Sequence, residues 1–179
     1  MKPYEIIKRE RIYDGKIINL VKDTILLPNG KETKRELVEH NGAAVIIAEY
    51  ENKLIFTRQH RHSAGDFTLE LPAGKLEKGE DPKECALREL KEETGMTADN
   101  MAFLFKAYSS IGFSNEILYF YIAKGLTEGE QNPDEDEFID IEKYSIEETV
   151  EMIFNGKIID SKTVSGVLAY KELCGRKDL

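Results

Sequence analysis

The stretch GKLEKGEDPKECALRELKEETGM, Gly74 to Met96, decides how the rest of the chain reads. Its punctuation is that of a loop followed by a helix. Gly74 and Gly79 mark the loop, Asp81 stands where an N-cap belongs, Pro82 takes the first helical position and Glu84 the third, a capping-box arrangement. Gly95 closes the helix where a left-handed residue is usually needed.

Such a helix has two faces. At about 100° per residue, Ala86, Leu87, Leu90 and Thr94 share one side and are expected to face a core. Glu89, Glu92 and Glu93 gather on the other, with Cys85 among them. Like charges three and four residues apart cost a bare helix a few tenths of a kcal/mol each, roughly. Two uses fit such a face. It is either a solvated acidic surface or a seat for a hard cation such as Mg²⁺, which takes oxygen ligands and shares them with waters and substrate phosphates.

The full spacing favours the second. Gly74 is followed after five residues by Glu80, after seven more by Arg88-Glu89-Leu90, then by Glu92-Glu93 and Gly95-Met96. This resembles the Nudix box, G-x5-E-x7-R-E-U-x-E-E-x-G-U with U apolar, at every specified position. The resemblance implies an α+β fold, a mixed β-sheet sandwiched between helices, here with a small N-terminal β-rich extension. It implies two or three Mg²⁺ ions, with Mn²⁺ as a substitute. The backbone carbonyl of Ala73 and the carboxylates of Glu89 and Glu93 would be the metal ligands, supported by Glu92 and Glu77. Arg88 would orient the glutamates by salt bridges. In such a site metal-bound charge offsets that of a diphosphate, and a water is activated for in-line attack on phosphorus.

Composition bounds these expectations. A chain of 179 residues suits one domain with an appendage, expected here as residues 1–40 and 41–179. The net charge of −9 argues against nucleic acid or an anionic membrane as the main partner. No apolar run reaches the roughly 18–20 residues of a membrane span. MKPYEIIKRE lacks a signal peptide's apolar core. Cys85 and Cys174 lie far apart and read as reduced thiols. Together these features predict a cytoplasmic protein, and the resemblance implies a small-molecule nucleoside diphosphate substrate.

Taken in order, the chain begins with partly alternating apolar residues, Ile17, Leu20, Val21, Ile25 and Leu27. A Pro28-Asn29-Gly30 turn then leads into a polar strand, Lys31 to Val38. In the ADP-ribose pyrophosphatase branch that the chain resembles, such strands help form a homodimer; a plain edge extension of the main sheet is the alternative. Ala43 to Ala48 is a continuous apolar run, expected as a strand buried on both faces. Leu54 to His60 follows and ends in Arg58, Gln59, His60 and Arg61. Arg58 and Arg61 are candidate substrate clamps because a guanidinium matches phosphate geometry; His60 and His62 read as exposed. Glu70 interrupts the apolar FTLELPA, so it is paired with an arginine or belongs to the site.

Beyond the box, strands are expected at Met101–Tyr108 and Glu116–Lys124. Between them lies SSIGFSNE, close to the S-P-G-F-S-x-E of ADP-ribose pyrophosphatases, with Ile111 where those carry proline. Glu116 is a candidate metal or ribose contact, or a salt-bridged strand residue. The acidic loop Asn132–Glu137 precedes a strand at Phe138–Ile141. The branch carries a water-activating glutamate there, which the resemblance places at Glu137, with Glu135 and Asp136 as rivals. Two helices close the chain, one opened by a Ser145–Glu148 capping box and ended at Gly156, the other capped by Asp160 or Ser161. Both read as core cover without chemistry.

Three functions fit this pattern. One is Mg²⁺-dependent hydrolysis of ADP-ribose to AMP and ribose 5-phosphate, with Glu137, Glu92 and Arg88 as catalytic residues and Arg58, Arg61, Glu70 and Glu116 toward the substrate. A second is hydrolysis of another nucleoside diphosphate derivative, a sugar nucleotide or a dinucleotide. A third is a nucleotide-sensing Nudix module that binds without cutting.

Overall fold

Alternating burial along the second strand shows which face of the first sheet is covered. In the computed structural model, which describes residues 4–133 and 137–176, β1 (Glu5–Asp14), β2 (Asn19–Leu26) and β3 (Glu32–Glu39) form an antiparallel sheet in that order. On β2, Val21, Asp23 and Ile25 are buried, every second residue, as a strand with one covered face requires. The buried Asp23 carboxylate is held by a two-pronged bond from Arg9, Nε at 2.7 Å and Nη2 at 2.6 Å. Gly30, at φ 78°, turns β2 into β3 through Leu27 and Lys31. Ile17 is left exposed ahead of the strand.

The chain divides into two units, Met1–Gly42 with Ala107–Ile117 and Ala43–Lys106 with Leu118–Leu179. The SSIGFSNE segment therefore groups with the N-terminal strands. Within that unit, the Val38 N–H donates to the Phe113 carbonyl at 2.7 Å, and the His40 N–H donates to the Asn115 side chain at 2.8 Å.

The second unit is built on β4 (Ala43–Tyr50). Ala44 to Ala48 are all fully buried, so both faces of the apolar run are covered. β4 runs parallel to β9 (Ile117–Thr127) and turns into β5 (Lys53–Arg61) through Glu51 and Asn52, both at positive φ, the geometry of a two-residue hairpin. The order is β10-β5-β4-β9-β8, with β8 at Thr97–Tyr108 and β10 at Asp140–Tyr144. The last strand thus starts later than expected and leaves Phe138 exposed.

Helices cover both faces of this mixed sheet. Helix α1 (Pro82–Thr94) packs Cys85, Ala86 and Leu90 against Ala44, Ile46 and Ala48. Helix α3 (Ser161–Gly175) lies on the face of Phe120, where a Cβ on Gly166 would meet Leu71 at 2.6 Å. Helix α2 (Ile146–Phe154) opens with a reciprocal Ser145–Glu148 capping box and contacts α3.

The stretch FTLELPA is two strands. β6 (Asp66–Glu70) pairs with β5, and β7 (Ala73–Lys75) pairs with β4. Pro72 marks the change of partner: it has no N–H to give, and its carbonyl accepts from Ile46 at 2.8 Å. Gly74, expected in a loop, therefore sits in a strand opposite Ala44.

Candidate active site

Local signals place α1 as its sequence implies. The Asp81 side chain accepts from the N–H groups of Lys83 and Glu84, and Gly95, at φ 73°, returns its N–H to the Lys91 carbonyl. The acidic face, however, is not a solvated one. Cys85 is part of the core, Glu93 is 2% exposed, and the Glu89 side chain is 13% exposed. The stripe turns inward because β7 lies against it.

Gly74 is what makes room. A Cβ at that position would stand 1.8 Å from the Glu89 carboxyl carbon, so any side chain there would push that carboxylate out of its place. One residue earlier, the Ala73 N–H donates to Glu93 Oε2 at 2.9 Å. The backbone of Ala73–Gly74 is thereby framed by the two glutamates. Burial pushes the Glu89 carboxyl up to about 7, against the opposing pull of Arg88 and with the charges of Glu92 and Glu137 adding to it. Burial likewise pushes Glu93 up to about 8; the Ala73 N–H lowers it, and Glu89 and Glu137 raise it. Glu137 thus stands within electrostatic reach of both. Glu135 and Asp136 lie outside the described residues.

Arg88 gathers the carboxylates around it. Its Nη1 donates to Glu89 at 2.7 Å and to Glu92 at 2.9 Å, while Nε donates to Glu80 at 3.0 Å. Glu80, present in the motif but given no role from the sequence, also accepts the Glu77 N–H at 2.8 Å. It closes the loop over the guanidinium. Glu77 itself is exposed.

The donor set fits a divalent cation. Glu93 has lost its water and gained one N–H, and its neighbours Glu89 and Glu137 add negative charge. Among the described residues no three Asp, Glu, His or Cys side chains form a cage of their own. That suits Mg²⁺, which completes its octahedron with water, carbonyl and phosphate oxygens rather than with an all-side-chain cage.

A second cluster surrounds Glu70, which is 2% exposed. It accepts from Arg61 Nε and Nη2, both at 2.7 Å, from Thr68 Oγ1 at 2.6 Å, and from Lys162 Nζ. Burial pushes the Glu70 carboxyl up, but Arg61 and Lys162 outweigh it and hold it at about 2. The charge of Arg61 is felt at Glu93 as well, which links the two clusters. Lys162 had no signal in the sequence beyond its position at a helix start.

Arg58 and Arg61 point to opposite faces of β5. Arg58, on the outer face, pairs with Glu142 at 3.4 Å and lies over Phe67; His60 also packs on Phe67. Glu116 lies in the first unit, 3.2 Å from His40 Nδ1. Cys85 and Cys174 are both free thiols, and among the described residues no helix is long and apolar enough to cross a membrane.

Known proteins are similar to this chain. A methanol dehydrogenase activator from Bacillus methanolicus is 45% identical over 164 residues, 90% of this chain and 89% of its own. An ADP-ribose pyrophosphatase from Bacillus subtilis is 40% identical over the same shares of both chains. Another from Mycobacterium tuberculosis is 37% identical over 93% of this chain and 82% of its own. The crystal structure of an ADP compounds hydrolase superposes with a TM-score of 0.87 over 100% of this chain and 98% of that one; at 20% identity this is a likeness of fold. The model of the NUDIX domain matches residues 38–165, the whole of the box and the sheet around it, and the chain belongs to that family.

Proposed function

We propose that the chain hydrolyses the diphosphate bond of ADP-ribose, adding water to give AMP and ribose 5-phosphate. The observation that carries this reading is the pair Glu89 and Glu93, buried beside the Gly74 backbone with too little positive charge around them. Glu89, Glu93 and the Ala73 carbonyl would hold the divalent cation, Mg²⁺ or Mn²⁺, two or three ions in all. When bound, the metal supplies charge neutralisation to the phosphates and acidifies a coordinated water. The protein's own groups do the rest. Arg88 keeps Glu89 and Glu92 aimed, Glu137 takes the proton of the attacking water, and Arg61 offers its Nη1 edge to a phosphate oxygen while Glu70 holds its other edge. Arg58 and Glu116 stay candidate substrate contacts.

The choice of ADP-ribose rests on the pyrophosphatases at 40% and 37% identity. A second reading, another nucleoside diphosphate derivative, is favoured by Ile111 in place of the branch proline. It also draws on a GDP-mannose pyrophosphatase from Yersinia enterocolitica, 37% identical over 110 residues, 60% of this chain and 56% of its own. Phosphorus NMR of ADP-ribose with the protein, with and without Mg²⁺, separates these. Metal-dependent conversion to AMP and ribose 5-phosphate is expected; no conversion would move the substrate to sugar nucleotides or dinucleotides, screened in the same way. Binding without any cleavage across that panel would leave the sensing module.

The protein acts in the cytoplasm as a homodimer through its N-terminal strands. Ile6, Ile7, Ile12 and Tyr13 on β1 are 52%, 49%, 53% and 57% exposed, an apolar load that a small sheet does not normally leave in water. Light scattering should give the dimer mass, and Ile6→Lys with Ile12→Lys should give the monomer.

A further inference from the structure

We propose that Lys162, on the last helix, is a positioning residue for substrate binding: it completes the charge balance around Glu70 and so keeps Arg61 seated with one edge free for a phosphate. This rests on the reading of Arg61 as a phosphate clamp.

The position of Lys162 breaks a local rule. It lies in the first turn of α3, where the helix dipole disfavours a cation. Nothing local compensates except Asp160, 3.0 Å from Nζ. The compensation is tertiary: Nζ also donates to Glu70, far away in sequence, and the Lys162 side chain is only 15% exposed. Rules broken locally and repaired by distant contacts concentrate at functional sites.

The helix start is fixed where Lys162 needs it. Asp160 accepts from the Thr163 N–H at 3.0 Å and from the Thr163 hydroxyl at 2.6 Å. Thr163 Oγ1 in turn accepts the N–H of Leu71, the neighbour of Glu70, at 2.9 Å. Lys162 is therefore held against Glu70 by the backbone on both sides.

Four charges then balance, Arg61 and Lys162 against Glu70 and Asp160. Arg61 spends Nε and Nη2 on Glu70 and feels both Asp160 and Glu93. Without Lys162, two carboxylates would compete for one guanidinium. Arg61 would be drawn toward Asp160, and its free edge would no longer face the phosphates. A structural role alone would lower stability and leave affinity unchanged.

The test is calorimetric titration of ADP-ribose into the full chain in EDTA, where no turnover occurs, with melting temperatures recorded beside it. The variants are R61M, K162M, K162R and the double R61M/K162M. R61M and K162M should each weaken binding about tenfold, K162R should recover most of the loss, and the double variant should bind no more weakly than R61M. K162Q takes the place of K162M should the latter not fold. Wild-type affinity in K162M beside a weakened R61M would overturn the proposal, leaving Lys162 a stabilising residue only. Multiplying effects in the double variant would also overturn it, by showing that Lys162 acts independently of Arg61. Wild-type affinity in R61M would remove the clamp on which the proposal rests, and failure of the wild-type chain both to bind ADP-ribose in EDTA and to cleave it with Mg²⁺ would remove the substrate reading itself.

Discussion

Glu70 and Glu93 are buried to the same degree, each 2% exposed, yet the two carboxyls end at opposite extremes. Burial pushes both up. Around Glu70, two cations and a hydroxyl more than repay the lost water, and the group is held at about 2. Around Glu93, one N–H and two further glutamates leave it at about 8. Burial alone therefore says little about what a carboxylate is for. Company decides: the Glu70 cluster is electrically closed and behaves as a joint of the structure, while the Glu89–Glu93 cluster is open and calls for a cation.

Glu93→Gln breaks the comparison most sharply. It removes a ligand of the cation that would offset phosphate charge, an effect of several kcal/mol in metal sites, so turnover should fall on the order of a thousandfold. The metal-free variant should melt no lower than the wild type, because the cost of burying that carboxyl, which pushes it up to about 8, has gone. Rates of ADP-ribose cleavage with Mg²⁺, paired with melting curves in EDTA, check both halves. Near-normal turnover would sink the assignment of Glu93 as a ligand.

Glu70→Gln should do the reverse, losing stability first. Breaking a buried pair leaves Lys162 and Arg61 without their anion, at a cost of about 3 kcal/mol. The pH dependence has a definite sign. The folded pKa of about 2 lies below the ordinary 4.5, so the stabilisation is fully present above pH 4.5 and is lost as pH falls through about 2. Urea melts between pH 7 and pH 3 should show the wild type weakening toward the acid end and Glu70→Gln much less so. Equal slopes for the two proteins would mean that Glu70 is not the closed partner described.

Glu137→Gln probes the open cluster from its rim. A general base contributes about 10²- to 10⁴-fold, and the hundredfold end is expected in kcat with KM little changed. If Glu135→Gln produces that loss instead, the base is one of its rivals on the same loop.

How much of this could be read beforehand depended on whether the cause was local. The bounds of α1, its Asp81 cap and its Gly95 stop were legible because caps and left-handed glycines are decided by a few neighbouring residues. The buried run of β4 was legible for the same reason. Cys85, expected on the acidic face, lies in the core because helical periodicity shows which residues share a stripe, not what packs over it; here β7 does. The break of FTLELPA into two strands lay in Pro72, whose missing N–H matters only once β5 and β4 are both in place. Lys162 carries no local signal because its partner is distant in the chain, and the dipole mismatch that marks it gains meaning only beside that partner.

The smallest effect tests the departure at Ile111. The side chain is 76% exposed, and Ser110 opens a turn in which its carbonyl accepts from Phe113 at 3.1 Å and from Ser114 at 2.9 Å. Ile111 follows Ser110, the place where proline pre-sets the backbone of a turn. No hydrogen bond among the described residues uses the Ile111 N–H, so proline would remove none. Ile111→Pro should therefore stabilise the fold by about 0.4–1 kcal/mol, chiefly by restricting the unfolded chain. With the loop stiffened, the ratio of kcat/KM for ADP-ribose over a sugar nucleotide such as GDP-mannose should rise a few-fold, roughly the effect of a fraction of a kcal/mol. A gain in melting temperature with an unchanged ratio would assign Ile111 to the stability of the turn alone, and selectivity would then have to come from the residues around Arg61 and the open carboxylate pair.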